Sequence, residues 1–435
     1  MESTQNFFGN FIFSLIEEFY TKTLLPNSKP QSNEWTVISG IVLQHKNEYK
    51  MICFSNGTRA LPNKNYMNNK FQIFDSHSEI LTLKCFKFFI LKCLAFNIIN
   101  HYAIREKSVE GLLTEMEFNS FHLNKEFYEI FDLNTKDKIS LKENVFFHLY
   151  ISAPPCGDCS VNKNLRFGSK CLQECIDFFK NDSTTQSPNV EPNKFRTKSI
   201  RSDYKKEILS FSLSCSDKLM LRNILGIQGK GISTLINKIY LSSITISNTN
   251  EAISYEQCGN GVNPNKRNVL RNYQGKAECA CVNIFMIKEN ILNNNIKQNE
   301  RNSQPFSSFW YFPSTIQKID PSTGLKCGSR IENKSNIDKF RATISKYDLY
   351  LNLLYLYQFC EEHKKQIHNK VITLNINKLQ RRLLKVKNKQ EDIHDVFESL
   401  TKDSHYSIMK RYIIESNDDV KEFKILKHNI IHNIN

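Results

Sequence analysis

The stretch VFFHLYISAPPCGDCS, Val145 to Ser160, decides how the fold is read. Its first part, Val145 to Ile151, is strongly apolar and rich in strand-forming residues, so it predicts one buried β-strand. Two prolines end that strand, because proline cannot donate to a sheet ladder. Cys156 and Cys159 follow, three apart. At that spacing they are a zinc-binding pair, a redox pair, or one ligand with an incidental neighbour.

Around this stretch, helix and strand patterns alternate. Phe7 to Tyr20 has apolar residues at helical spacing. Trp35 to Leu43 and Tyr49 to Phe54 read as strands around His45-Lys46-Asn47-Glu48, a hairpin. His77 to Ile98 is apolar on most sides, which predicts a buried helix. Ile208 to Ser214 and Ile239 to Ile246 read as further strands. The last third is helical, most clearly at Lys346 to Phe359 and Ser404 to Ile414. The order implies an α/β fold, a mixed sheet with flanking helices and an extended C-terminal helical part. Asn181 to Lys194 and Asn290 to Gln304 read as loop insertions. No repeat or change of character divides the chain, so residues 1–435 are expected to form a single domain.

Formal net charge is +15, which favours a polyanionic partner such as RNA or DNA, or else reflects a Lys-rich solvated surface. The 13 cysteines are dispersed and odd in number, so no small-domain disulfide framework is expected. The N-terminus lacks a basic region before an apolar stretch. Phe88 to Phe96 is short and broken by Lys92, so it does not span a membrane. These features imply a reducing compartment, cytoplasm or nucleus, with mostly free thiols.

Chemistry-bearing residues gather in three places: DSHSEIL (Asp75 to Leu81), PPCGDCS (Pro154 to Ser160) and SCSDK (Ser214 to Lys218). Each falls at a predicted strand end or helix start. An H-x-E followed later by P-C-x-x-C is the signature of zinc nucleobase deaminases. Zinc takes His nitrogen and Cys thiolates in three positions and leaves the fourth for water, whose pKa it lowers. A carboxylate that is not a ligand then moves protons. His77 and Glu79 suit metal and water respectively, and a helix start favours a thiolate at Cys156. Read literally, the signature pairs Cys156 with Cys159; SCSDK offers Cys215 instead.

DSHSE, PCGDCS and SCSDKLMLRNILGIQG resemble the three motifs of the adenosine-to-inosine RNA editing deaminases. The usual forms there are D-[SC]-H-A-E, P-C-G-D-A and S-C-S-D-K-x-x-x-W-N-x-x-G-x-Q-G. The resemblance implies a cytidine-deaminase-like zinc core, with ligands His77, Cys156 and Cys215 and with Glu79 as proton shuttle. Cys159 stands where the family usually has Ala. SNGTRAL, Ser55 to Leu61, resembles a G-T-K stretch and implies RNA contacts by Thr58 and Arg59. FRTKS (Phe195 to Ser199) and ATISKYDLYLNLL (Ala342 to Leu354) extend the match, which covers roughly residues 35 to 415.

The family also buries inositol hexakisphosphate, and the matching residues here are Lys198, Lys218, Lys346 and Lys410. Buried lysines are costly without counter-charge, which such a polyanion supplies. Asp75 and Lys218 would link that cofactor to the metal site. Three positions depart from the pattern. The family's Trp after S-C-S-D-K is Arg222, its common Arg just before is Leu221, and an Arg common earlier is Leu83, with Lys84 following. Arg222 partly replaces the lost charge.

The segment Ser199 to Leu213, where the duplex editors carry a long base-flipping loop, is short here. That resembles the tRNA-specific branch, and implies deamination of an adenosine in tRNA just 3′ of the anticodon, where bases are already unstacked. An editor of mRNA or double-stranded RNA working with a separate RNA-binding chain, and a silent zinc protein that binds RNA, are the alternatives. His363 and His368 near Cys360 read as a polar helix face. Cys279 and Cys281 read as packing residues, and Lys378 to Lys389 as a basic helix face or a phosphate contact.

Overall fold

An eight-stranded mixed sheet carries the core. The structure, a computed structural model, describes residues 2–61, 71–104, 112–160, 198, 212–248, 253–264, 280–292, 302–328, 339–367 and 369–388. The strands are β1 (Ile38–His45), β2 (Glu48–Asn56), β3 (Val145–Ile151), β4 (Ser243–Ser247), β5 (Asn283–Ile287), β6 (Ser307–Tyr311), β7 (Gln317–Asp320) and β8 (Leu325–Lys326). They lie in the order β8-β7-β6-β2-β1-β3-β4-β5. β1 is antiparallel to both β2 and β3, whereas β3, β4 and β5 run parallel. Parallel neighbours need long crossover connections, and the carboxyl ends of such strands are where open sheets place their ligands. The P-P-C turn leaves the carboxyl end of β3.

β1 and β2 form the expected hairpin around Lys46 and Asn47, with His45 opposite Glu48. Lys46 has φ +58°, the left-handed conformation that two-residue hairpin loops require. A bulge lies further along. Met51 pairs with Val42 and Cys53 with Ile41, so Ile52 is the extra residue. Ile52 and Cys53 therefore both join the larger core cluster, and Phe54 returns to the opposite face.

Each sheet face is covered by a helix. Helix α1 (Glu2–Lys22) sets Ile12 and Ile16 against Ile38, Val42, Phe54 and Tyr150. Helix α2 (Ser78–His101) covers the other face and is buried around nearly its whole circumference. Phe86 meets Phe147 of β3 edge to face at 4.9 Å, and Phe96 stacks on Phe121. Fully burying each such ring stabilises by about 1.5–3 kcal/mol. Within α2, Lys92 is kept in the core by Glu117 (2.6 Å) and the Leu112 carbonyl (2.8 Å). Glu117 belongs to α3 (Glu115–His122), which opens on a capping box with Thr114. The remaining helices used below are α4 (Cys215–Leu225), α5 (Tyr255–Val262), α6 (Lys346–Glu362) and α7 (Lys370–Asn388).

Some boundaries differ from the sequence reading. Trp35 is not part of β1. It pairs in parallel with Ser303, in a two-residue ribbon formed by Glu34–Trp35 and Asn302–Ser303. The Asn290 to Gln304 insertion is thus tied down at its end. Ile239 and Leu241 are buried but lie outside β4, and the Ile239 backbone is held by Gln228 and Ile227 instead. Of the Ile208 to Ser214 segment only Ser212 to Ser214 is described, and it forms no extended strand. Asn181 to Lys194, Ser404 to Ile414 and Lys410 lie outside the described residues. Among those described, α6 and α7 make up the C-terminal helical part, and no helix is long and apolar enough to cross a membrane.

Candidate active site

The three motifs converge where β3 ends and where α2 and α4 begin. His77 is the N-cap of α2 and Glu79 lies in its first turn. The His77 backbone N–H donates to Asp75 Oδ1 at 3.1 Å, and the Ser78 N–H donates to the Gly57 carbonyl at 3.0 Å. Cys215 is the first residue of α4. Its N-cap Ser214 accepts from the Asp217 N–H and donates its hydroxyl to the Asp217 carboxylate at 2.6 Å.

One ligand atom from each of His77, Cys156 and Cys215 lies within 4.8 Å of the others. His77 Nδ1 is 3.4 Å from Cys215 Sγ and 3.9 Å from Cys156 Sγ. The helix start that favours a thiolate at Cys156 is that of α4, since the Cys215 N–H donates to Cys156 Sγ at 3.3 Å. Ser216 ties the loop down through its N–H and hydroxyl, both donated to the Cys156 carbonyl at 3.0 Å. Gly157 makes this interlock possible. Its φ is +99°, and a Cβ there would sit 2.3 Å from both the Ser214 and Ser216 hydroxyl oxygens.

Cys159 points elsewhere. It is fully buried, its Sγ donates to the Cys258 carbonyl at 3.6 Å, and Cys258 Sγ donates to the Cys159 carbonyl at 3.8 Å. Gly261 of α5 packs directly on the Cys159 sulfur.

Electrostatics distinguishes the two converging thiols. The hydrogen bond with Cys215 pulls the Cys156 thiol well below its ordinary range, against the cost of burial, with Lys198 and His77 adding to the effect. Burial and the neighbouring Cys156 push Cys215 the other way. Two buried thiolates in contact repel, and a cation shared with His77 relieves that repulsion. The donor set, one imidazole and two thiols with no fourth protein donor among the described residues, fits zinc with one open position.

Behind His77 lies a buried ion cluster. Asp75 accepts from Lys198 Nζ at 2.7 and 2.8 Å, from the Ser212 hydroxyl at 3.1 Å, and from Lys218. Burial alone would raise the Asp75 carboxyl, but Lys198, Lys218 and His77 override it and hold it well below the usual carboxylate range. Lys218 also reaches a cavity between α2, α4 and α6, lined by Lys84, Lys87, Lys218, Arg222 and Lys346. Lys198 is not among the lining residues. Lys87 was missed in the sequence reading. Lys84 and Lys87 are three apart in α2, so they share a face of that helix.

The Gly57 to Leu61 segment runs beside the site, with Ala60 bridged to Asp75 and the Ser76 N–H bonded to the Arg59 carbonyl. Thr58 Oγ1 is shielded from solvent and has no hydrogen-bond partner among the described residues. Arg59 is exposed, and its guanidinium donates to the Ser303 hydroxyl at 2.7 and 2.9 Å and to the Ser303 carbonyl at 3.1 Å. The other candidates stand apart from the site. His363 bonds back to the Phe359 carbonyl, and Cys281 is exposed. Lys378 to Asn388 belongs to α7, while Lys389, His368 and Cys279 lie outside the described residues.

Residues 109–406 match the adenosine-deaminase (editase) domain. The chain belongs to that family. The matched region takes in Cys156, Cys215, Lys218 and Lys346 and begins after His77. Editase-family relatives include the tRNA-specific adenosine deaminase 1 of Schizosaccharomyces pombe, 29% identical over 230 residues, 49% of each chain. The protein of the same name in Drosophila melanogaster is 25% identical over 236 residues, 51% of each chain. The double-stranded RNA-specific editase B2 of Mus musculus is 25% identical over 218 residues, 48% of this chain and 26% of that protein. The chain thus spans about half the length of the tRNA-specific relatives it matches.

Proposed function

We propose that this editase-family chain hydrolyses adenosine to inosine in tRNA, at the adenosine just 3′ of the anticodon, as a single cytidine-deaminase-like domain. The observation that carries the reading is the convergence of His77, Cys156 and Cys215, with Glu79 two residues from the imidazole on a rigid helix start. The relatives named for tRNA and the short Ser199 to Leu213 segment support the substrate.

His77, Cys156 and Cys215 would hold zinc. Bound there, the metal makes a water nucleophilic at neutral pH. Glu79 is 3% exposed and accepts a hydrogen bond from the Ser78 hydroxyl at 3.1 Å, which fixes its carboxylate. In the reaction the water oxygen bonds to C6; Glu79 passes the water's first proton to ring N1, then takes the second from the new C6 hydroxyl and gives it to the leaving amine. The C6–N bond breaks, ammonia leaves and inosine remains.

Thr58 and Arg59 serve the RNA. The shielded Thr58 hydroxyl gives the substrate a partner beside the metal site, and Arg59 faces solvent where a backbone phosphate would pass. The +15 net charge suits that partner. Lys218 and Lys346, with Lys84, suit inositol hexakisphosphate in the cavity. Lys198 and Asp75 would act one step behind, carrying charge from that cavity to the His77 backbone.

The similarity to the mouse editase supports a second reading, an mRNA or duplex RNA editor acting with another RNA-binding chain. Purified wild-type protein and Glu79→Ala, each incubated with tRNA and with duplex RNA, separate these readings by inosine mapping. Glu79→Ala is expected to keep its zinc and lose at least about 10²–10⁴-fold in rate. Unchanged inosine formation by Glu79→Ala would defeat the mechanism, and inosine in duplex RNA alone would defeat the tRNA assignment.

A further inference from the structure

Arg59 is exposed, yet one side of its guanidinium is fully engaged. The guanidinium is a rigid fork of N–H donors. Nε donates to the Ser303 hydroxyl at 2.9 Å, and Nη2 donates to that hydroxyl at 2.7 Å and to the Ser303 carbonyl at 3.1 Å. Nη1 makes no hydrogen bond among the described residues, and no carboxylate there pairs with Arg59. Serine is neutral, so these contacts orient the cation without cancelling its charge.

Arg341 shows the other use of a guanidinium. Its Nε donates to both carboxylate oxygens of Asp348, at 3.0 and 3.1 Å. That pair ties down the first turn of α6, and the charge is neutralised within the protein. At Arg59 the charge is kept.

Ser303 is itself braced. It pairs with Trp35 in the two-residue ribbon. On either side, the Asn302 and Gln304 N–H groups donate to the Asn33 and Trp35 carbonyls at 3.0 and 2.9 Å. The buried Gln304 side chain accepts from Asn56 Nδ2 at 3.3 Å and donates to the Ser28 carbonyl at 3.4 Å. Asn56 closes β2, three residues before Arg59. At its other end Arg59 is tied to the metal site, because its carbonyl accepts from the Ser76 N–H at 3.0 Å, next to His77. The guanidinium therefore has a set place relative to the three converging ligands.

We propose that Ser303 is a positioning residue for RNA. It holds Arg59 so that the Nη1 edge meets a phosphate of the substrate strand beside the reacting nucleotide. Phosphate oxygens accept charge-assisted hydrogen bonds from such an edge. An arginine that is already held loses less side-chain freedom on binding, and the difference appears in affinity. The proposal rests on the reading of Arg59 as an RNA contact and adds the residue that sets its direction. No family motif points to Ser303, which lies at the end of the Asn290 to Gln304 insertion.

The test uses the full chain and purified tRNA. KM, kcat, melting temperature and the salt dependence of tRNA binding are measured for wild type, Ser303→Ala, Ser303→Thr, Arg59→Gln and the double variant Ser303→Ala/Arg59→Gln. Ser303→Ala is expected to raise KM about three- to tenfold while kcat changes less than about twofold. Its salt slope should match wild type, because the charge remains. Ser303→Thr keeps the hydroxyl and should recover most of the loss. Arg59→Gln should raise KM and reduce the slope of log K against log salt by about one. Adding Ser303→Ala to Arg59→Gln should cost less than about twofold more, since Ser303 acts through Arg59. A Ser303→Ala effect that persists in full beside Arg59→Gln, or a lowered melting temperature with KM unmoved, makes Ser303 a brace of the ribbon alone and overturns the proposal. Equal KM in wild type and Arg59→Gln removes the Arg59 contact and the proposal with it, while tRNA deamination stands. Wild type that neither binds tRNA nor forms inosine in it defeats the tRNA reading, and the proposal falls with that reading.

Discussion

Cys156 and Cys159 stand three residues apart in one loop and have opposite surroundings. Cys156 faces the N-terminus of α4, accepts a hydrogen bond from the Cys215 N–H at 3.3 Å, and lies 3.9 Å from His77 Nδ1. Cys159 turns toward α5, where thiol and carbonyl contacts with Cys258 and the close approach of Gly261 enclose it. The backbone between them decides this, because Gly157 at φ +99° folds the loop onto Ser214 and Ser216. A C-x-x-C spacing fixes how far apart two sulfurs can be, but not which way they face.

The largest effect should come from the Cys156 side. Cys156→Ala is expected to lose inosine formation by at least about 10³-fold, since the metal that activates water loses a ligand; turnover on tRNA under saturating zinc checks this. A variant retaining a tenth or more of wild-type turnover would place the metal elsewhere.

Gly157→Ala probes the hinge between the two cysteines. The left-handed φ and the 2.3 Å approach of its Cβ to two hydroxyl oxygens should together cost about 3 kcal/mol. Denaturant unfolding measures this, and a loss under about 0.5 kcal/mol, the range of an ordinary surface change, would mean that the loop does not interlock with α4.

A site remote from both cysteines supplies a background that must be subtracted in any acid titration. His148 on β3 is held neutral by burial, with its pKa lowered to about 4, and both ring nitrogens are engaged, by Ser243 and Gln44. Its folded pKa lies below the unfolded value of about 6.5, so its contribution is present above pH 6.5 and is lost as pH falls toward 4. The loss should reach about 3 kcal/mol by pH 4. Urea midpoints between pH 7 and pH 4, compared with His148→Gln, should show the wild-type slope flattened in the variant. Equal slopes would remove His148 from the account.

Much of this was legible in the sequence. Val145 to Ile151 is the observed β3 because an apolar run of β-formers ended by prolines has few other ways to fold. That His77 and Glu79 open the long buried helix was legible, because the apolar run begins directly after them. Ile239 and Leu241 misled because burial alone looks the same on a strand and on an irregular segment packed beside one. The opposite orientations of Cys156 and Cys159 depend on a turn conformation and on α5, about 100 residues downstream, and no local pattern reports that.

The most direct test is the zinc content of Cys215→Ala and Cys159→Ala, purified beside wild type. A metal held by His77, Cys156 and Cys215 predicts about one zinc per chain in wild type and in Cys159→Ala, and a several-fold loss in Cys215→Ala. Zinc lost from Cys159→Ala and retained by Cys215→Ala would contradict the assignment.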